Sequence, residues 1–243
     1  MIKRYRDLII IYENDVAYVI SCDSLGAIGN KKNDVLKIDE DIVGRTTVKV
    51  ALSEALCVGA KPIIISDTLS VEMKPTGEKI LSSIKSEIDE NGLSGIFFTG
   101  STEENFPTSM TGIGITVIAK ANIADLKINK VKKGMQVSLL GYPHVGNEVL
   151  NSKDVLQLND YVKISNCKEI IEAIPVGSKG IKYEIGILEK ISGLNVEANF
   201  PQHLDVLKSG GPSTCCLVVH YEKSIASIKK LIDKPITYIG EIY

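Results

Sequence analysis

Two acidic residues stand directly after continuous apolar runs in this chain. Asp23 follows Val16–Cys22, and Asp67 follows Ile63-Ile64-Ile65-Ser66. A carboxylate in that position is expected at the rim of a sheet, paired or metal-bound, because burying it alone is costly. A third acid, Glu54, lies in the stretch Val43–Asp67, where Val48, Ala51, Leu52, Ala55 and Leu56 repeat at helical spacing. Acids arriving from separate strands and a helix suggest a place where metal ions gather. Other reactive types offer less. The five cysteines, Cys22, Cys57, Cys167, Cys215 and Cys216, show no CxxC spacing and read as small buried hydrophobes. His144 sits alone in a turn; it is a candidate proton acceptor or a plain polar contact.

The elements that must position these residues follow from pattern. Gly59 ends the organising helix, Pro62 prevents its restart, and the isoleucine run that follows reads as a strand buried on both faces. Asp7–Tyr12 and Val16–Cys22 form an expected strand pair. Residues 30–42 are polar and read as a mobile surface loop carrying Asp34, Asp39, Glu40 and Asp41. A helix is expected over Pro75–Asn91, with strands at Ser94–Thr99 and Thr111–Ala121. Beyond residue 130 the pattern gives strands at Gln136–Leu140, Ile174–Val176, Cys216–Tyr221 and Ile236–Ile242. Helices are expected around Cys167–Ala173, at Ile181–Ile191 and at Ser224–Ile232. The irregular alternation predicts an α+β, two-domain chain. Residues 1–130 would form a mixed-sheet domain with flanking helices, and 131–243 a smaller α+β domain.

With 243 residues and 44% hydrophobic content, the chain can bury one large core or two modest ones. A net charge of -2 argues against a dedicated nucleic-acid binder. No apolar run is long enough to span a membrane, and the N-terminal run is too short for a signal peptide. The expectation is a cytoplasmic protein without nucleic-acid or membrane partners.

Four stretches in one order, CDSLGAIG, VGRTTVKVALSEALCVGAKP, IIISD and FFTGSTEEN followed by TGIGITVIAKA, resemble the N-terminal domain of a known superfamily. It contains aminoimidazole ribonucleotide (AIR) synthase, thiamine-monophosphate kinase, selenophosphate synthetase and a hydrogenase maturation factor. The likeness covers roughly residues 7–125, with a weaker match from KKGMQVSLLGYPHVGNEV onward. It implies ATP bound without a P-loop, and the chain indeed has no GxxxxGK[ST]. In the family, acids hold Mg²⁺ against the triphosphate, because carboxylates and phosphates otherwise repel. Carried over, the metal candidates are Asp15, Asp23, Glu54, Asp67 and Glu103. Gly26, Gly29, Gly100, Ser101 and Thr102 become candidates for contact with the nucleotide, and Arg45 and Lys49 for contact with phosphate. Plainer alternatives stand beside them: a turn residue for Asp15, an exposed helix position for Glu54, an exposed pair for Arg45 and Lys49. The resemblance also implies a homodimer through the N-terminal strands.

One departure stands out. Where the family has Gly-Gly-Asp-Thr or Gly-Gly-Glu-Thr, this chain has Gly100-Ser101-Thr102-Glu103. Either Glu103 replaces the missing acid through a shifted turn, or the site holds one ion fewer. The reactive cysteines of selenophosphate synthetase and the hydrogenase factor are absent. CDSLGAIG, TGSTEEN, LGYPHVGNEV and KSGGPSTC look most similar to the α-ribazole kinases. That implies transfer of the ATP γ-phosphate to a nucleoside alcohol, with Asp23 and His144 as catalytic candidates. The turns at 143–146 and 209–214 would line the acceptor site. A ligase of the AIR synthase kind and a nucleotide-binding regulator without turnover are the alternatives.

Overall fold

Along Val16-Ala17-Tyr18-Val19-Ile20, Ala17 and Val19 are buried while Tyr18 and Ile20 are only half-buried, as in a strand covered on one face. In the computed structural model, which describes residues 1–243, this strand is β3 (Val16–Gly26). It completes a meander with β1 (Ile2–Tyr5) and β2 (Leu8–Glu13). The short β4 (Ile28–Gly29) and β5 (Leu36–Lys37) follow, then α1 (Glu40–Cys57), β6 (Lys61–Leu69) and α2 (Glu78–Glu90). With β7 (Phe97–Thr102) and β8 (Gly112–Asn122) they give a six-stranded sheet of order β1-β2-β3-β8-β6-β7. Its pairs are antiparallel except β6–β7, so the sheet is mixed.

The rest of the chain comprises β9 (Gln136–Leu140), α3 (Asn147–Asn151), α4 (Leu158–Asn166), β10 (Ile170–Pro175) and α5 (Gly180–Ser192). After these come β11 (Val196–Ala198), β12 (Cys216–His220), α6 (Ile225–Leu231) and β13 (Ile236–Ile242). These strands form a second, antiparallel sheet of order β10-β12-β9-β13-β11. The fold is α+β. One core of 37 buried residues runs through both halves, and a second of 15 lies in the later half, where β9, β12 and α5 contribute to it.

Three expectations change. β3 and β6 continue through Asp23 and Asp67 instead of stopping there, because β8 is long enough to pair with both strands to their ends. The helix expected around Cys167–Ala173 lies earlier, as α4. Gln157 and Asp160 form its capping box, with Gln157 N donating to Asp160 Oδ2 at 2.9 Å, while Ile170–Pro175 pairs as a strand. The 30–42 segment is not a free loop, since Asp34 organises it. This residue is 6% exposed and accepts from Lys31 N (2.8 Å), Thr111 N (2.7 Å) and Thr111 Oγ1 (2.7 Å).

Helix α1 is buried on most of its circumference, so it behaves as a core element rather than a surface helix. At Gly44 it lies so close to α2 that a Cβ would fall 2.0 Å from Ser83 Oγ and 2.5 Å from the Ile80 carbonyl oxygen. Toward the later half, Ser53 Oγ meets Ser213 Oγ at 3.0 Å and Cys57 Sγ lies 3.9 Å from Cys216 Sγ.

Burial raises the Asp34 carboxyl, but its hydrogen bonds from Thr111 and Lys31 outweigh that and hold it below the usual range. Asp34→Ala is therefore expected to lose about 2–4 kcal/mol in urea unfolding at neutral pH. Because the folded-state value is depressed, the loss should be complete above about pH 4 and shrink as the pH falls below it.

Candidate active site

The face of α1 bearing Thr46, Thr47, Val50 and Glu54 looks into a cavity of about 500 Å³ between the two halves. Leu25, Ile28, Ile38 and Ile42 line it from the first half, and Val149, Leu150, Pro175 and Val176 from the second. The turns at Val145-Gly146 and Gly211–Ser213 close it. Asp23 and Glu54 are its only charged residues; no Lys or Arg lines it.

The two acids differ. Burial raises the Asp23 carboxyl above the usual carboxylate range, and no other side chain bonds to it. Glu54 is raised by burial too, with Arg6 opposing and the charges of Asp7 and Asp23 adding to the rise. Its carboxylate is engaged by the buried Arg6 guanidinium, whose Nη1 also donates to the Ala173 carbonyl at 3.3 Å. Beyond Glu54, Pro175 and Gly177 opens another cavity of about 610 Å³, lined by the β1–β2 corner and α5. Burial pushes Glu184 in its wall up to about 7.

Asp67 faces elsewhere. It and Asp23 both stand opposite Ile115 in neighbouring ladders, so they share a row of the sheet with backbones ~10 Å apart. Ile115 lies between them. Asp67, 5% exposed, lines a separate cavity of about 270 Å³ with Lys85, Thr99, Gly100, Ser101 and Thr102. Gly100 is required here: a Cβ would lie 2.4 Å from the Asp67 carboxyl carbon. Burial raises this carboxyl, and the Lys85 charge opposes the rise.

The remaining candidates are placed as follows. Asp15 lies in the exposed β2–β3 turn, eight residues along β3 from Asp23 and so about 26 Å away; it is a turn residue. Glu103 accepts from the backbone N–H groups of Asn105 (2.7 Å) and Phe106 (3.2 Å), so it closes its own turn. Arg45 is paired with Asp41 on α1 and with Glu87 and Glu90 on α2 and lines none of the three cavities. Lys49 is 5% exposed and donates to the Leu156 carbonyl at 3.0 Å, tying α1 to the later half. The His144 ring is outside the cavity lining; Nε2 meets Ser152 Oγ at 2.9 Å and Nδ1 lies 3.6 Å from Glu148. Gly26 lines the cavity with open space beside it, whereas Gly29 is packed against Thr111 and Asp34. Nowhere do three His, Cys, Asp or Glu side chains gather to hold one ion. A magnesium cage made of the chain's own acids therefore does not fit the residues present.

Two contributors escaped the sequence reading. Arg6 sits in a hairpin corner with nothing local to mark its partner. Lys85 looked like any exposed helix lysine. The cavity wall from Ile28, Leu36 and Ile38 did leave a trace, an apolar beat inside an otherwise polar stretch.

Residues 6–121 match the family described as AIR synthase related protein, N-terminal domain. No curated protein matches the chain in sequence. Among solved structures it is similar to a thiamine-monophosphate kinase from Stenotrophomonas maltophilia K279a. The TM-score is 0.65 at 16% identity, covering 99% of this chain and 88% of that one. It is similar to AaThiL complexed with AMPPCP and TMP, with TM-score 0.67 at 14% identity over 97% of this chain and 84% of that. The third is T. maritima PurL complexed with ATP, with TM-score 0.65 at 14% identity over 97% of this chain. The chain spans only 42% of that PurL. At these identities the likeness establishes the fold. No helix is long and apolar enough to cross a membrane.

The buried Lys49 ammonium is lowered to about 8 by desolvation, only partly countered by the charges of Glu87 and Asp160. A folded-state value below the unfolded one means that stability rises with pH between those two values. Compared with Lys49→Met, the wild-type chain should gain roughly 2–3 kcal/mol between pH 8 and pH 10. Chemical denaturation of both proteins across that range measures the difference.

Proposed function

Since residues 6–121 match the AIR synthase related protein N-terminal domain family, we propose that the chain is an ATP-dependent phosphotransferase acting on a nucleoside alcohol, with α-ribazole as the acceptor. The carrying observation is Asp23, an acid without a side-chain partner in an apolar cavity between the two halves. Phosphoryl transfer through a loose transition state asks for positioning and charge control more than for a strong base. Asp23, raised by its surroundings, suits the task of accepting the hydroxyl proton as phosphate arrives. The apolar walls suit an uncharged base. An acceptor already carrying a phosphate would meet the unpaired Asp23 with no Lys or Arg in the lining to offset it, since Arg6 is taken by Glu54. Asp67 and the Gly100–Thr102 strand then face the nucleotide phosphates. In this reading residues 1–130 bind nucleotide and residues 131–243 close over the acceptor. Mg²⁺ enters it only as a companion of the nucleotide.

A second reading, nucleotide binding without turnover, is favoured by the lack of any three-acid cluster. One assay separates the two. ADP formation should depend on α-ribazole and be slow with thiamine phosphate or adenosine. Asp23→Asn should lower kcat by roughly 10²-fold or more while ATP binding persists. ATP binding with no ADP formed from any acceptor would leave the regulator reading standing.

The homodimer belongs to the same proposal. Ile9, Ile20, Ile118, Ile64 and Phe97 form one row across the sheet, on the face away from α1. The isoleucines are half-buried and Phe97 is 76% exposed. An apolar row of this kind fits the same row of a second copy. Sedimentation should show a dimer for the wild type and a monomer for Ile20→Glu; a monomeric wild type would remove this part of the reading.

A further inference from the structure

The Asp67 cavity carries an inference about how phosphate charge is balanced, and it rests on the nucleotide reading above. Asp67 is almost fully buried, yet no other side chain donates to its carboxylate, which lines the cavity. A polyphosphate brought beside it would be repelled unless positive charge came between or beside them. The acid expected two places after Gly100 is Thr102, whose hydroxyl donates to Glu104 Oε1 at 2.8 Å. Glu104 also accepts from Met73 N at 2.7 Å, and Glu103 is taken by the Asn105 and Phe106 amides. Neither glutamate lines the Asp67 cavity, and both already accept hydrogen bonds. Glu54 is committed to Arg6. The cavity therefore offers a metal one carboxylate.

The cavity does offer a cation. Lys85 projects from α2 into its lining, with its ammonium 5.8 Å from the centre of the Phe98 ring. Unlike Arg45 on the neighbouring helix, it forms no ion pair with any carboxylate of the chain. Thr99, Ser101 and Thr102 stand around the same space on the edge strand β7, next to Gly100, where backbone is exposed. A lysine is a compact, mobile point charge suited to a phosphate oxygen. Mg²⁺ usually completes its shell with water and substrate phosphates around one or two carboxylates. With Asp67 alone, most of that shell must come from the nucleotide.

We propose that Lys85 binds the nucleotide's polyphosphate in the Asp67 cavity, supplying charge that a carboxylate-held second ion would otherwise provide, and that the divalent ion arrives with the nucleotide instead of occupying the site beforehand.

The test uses the full chain, with Mn²⁺ read by the EPR signal of the free ion and nucleotide binding read by calorimetry. Without nucleotide, Mn²⁺ should remain free up to millimolar protein; with a non-hydrolysable ATP analogue it should become bound. Lys85→Met should weaken the analogue by roughly tenfold or more, the scale of one charge-assisted hydrogen bond. Adenosine, which lacks phosphate, should bind both proteins equally, and Lys85→Arg should recover most of the affinity. Since Lys85 is exposed, these variants are expected to fold. Tight Mn²⁺ binding without nucleotide, or unchanged analogue affinity in Lys85→Met, overturns the inference. A wild-type chain that binds no ATP analogue removes the nucleotide reading and this inference with it, an outcome visible before any variant is made.

Discussion

A buried guanidinium holds this structure together. Arg6, at the corner between β1 and β2, engages the Glu54 carboxylate on α1 and the Ala173 carbonyl on β10. Next to it, Tyr5 donates to Glu172 at 2.9 Å, and Glu172 also accepts from the backbone of Lys130 and Val131. Two successive residues thus fasten the first hairpin, the organising helix, the linker and the second sheet. Burial by itself would lower the Arg6 guanidinium; the Glu54 carboxylate, with smaller contributions from Cys57, Tyr5 and Glu184, outweighs this and leaves it raised. A buried pair of this kind contributes little net stability over an apolar replacement, but leaving either partner alone costs about 3–5 kcal/mol. Its importance is geometric: it fixes which elements meet, and it makes Glu54 part of a wall between two cavities.

Helix α1 then divides the interior. One flank meets the later half through Lys49, Ser53 and Cys57, another meets α2 at Gly44, and a third looks into the apolar cavity. A helix used on so many sides cannot shift to suit one neighbour without disturbing the rest, since interiors pack as densely as crystals. The cavity between the halves therefore inherits a rigid wall on the α1 side. Its opposite wall is made of turns and the short α3, where smaller adjustments are possible.

Much of this was legible in the sequence, and the failures have physical reasons. Pattern found α1, α5 and the strands of the first sheet other than β1, because burial on one face writes itself into every second or every third-to-fourth residue. It misjudged where β3 and β6 end, since the partner strand β8, not the local apolar run, decides how far pairing extends. Asp34 was legible as an acid in a polar loop but not as the residue that orders it, because its donors at Thr111 lie 77 positions away. Arg45 and Lys49 failed in opposite directions from one helical turn. Arg45 is satisfied by Asp41 on its own helix and by Glu87 and Glu90 on α2, and Lys49 points into the seam between the halves. Spacing along a helix gives adjacency; it does not give the face.

The acids show the same limit and also its consequence. Sequence order brings Asp23, Glu54 and Asp67 into one neighbourhood, and the sheet does place Asp23 and Asp67 in one row. Ile115 and the Arg6–Glu54 pair nevertheless separate them chemically. Asp23 faces apolar walls with no cation nearby, whereas Asp67 faces hydroxyls and a lysine. In the proposed reading, charge sorts the two ligands, an uncharged ring going to the Asp23 side and the polyphosphate to the Asp67 side. Two carboxylates in one row of the sheet thus meet opposite surroundings, because one shares its cavity with leucines and valines and the other with Lys85.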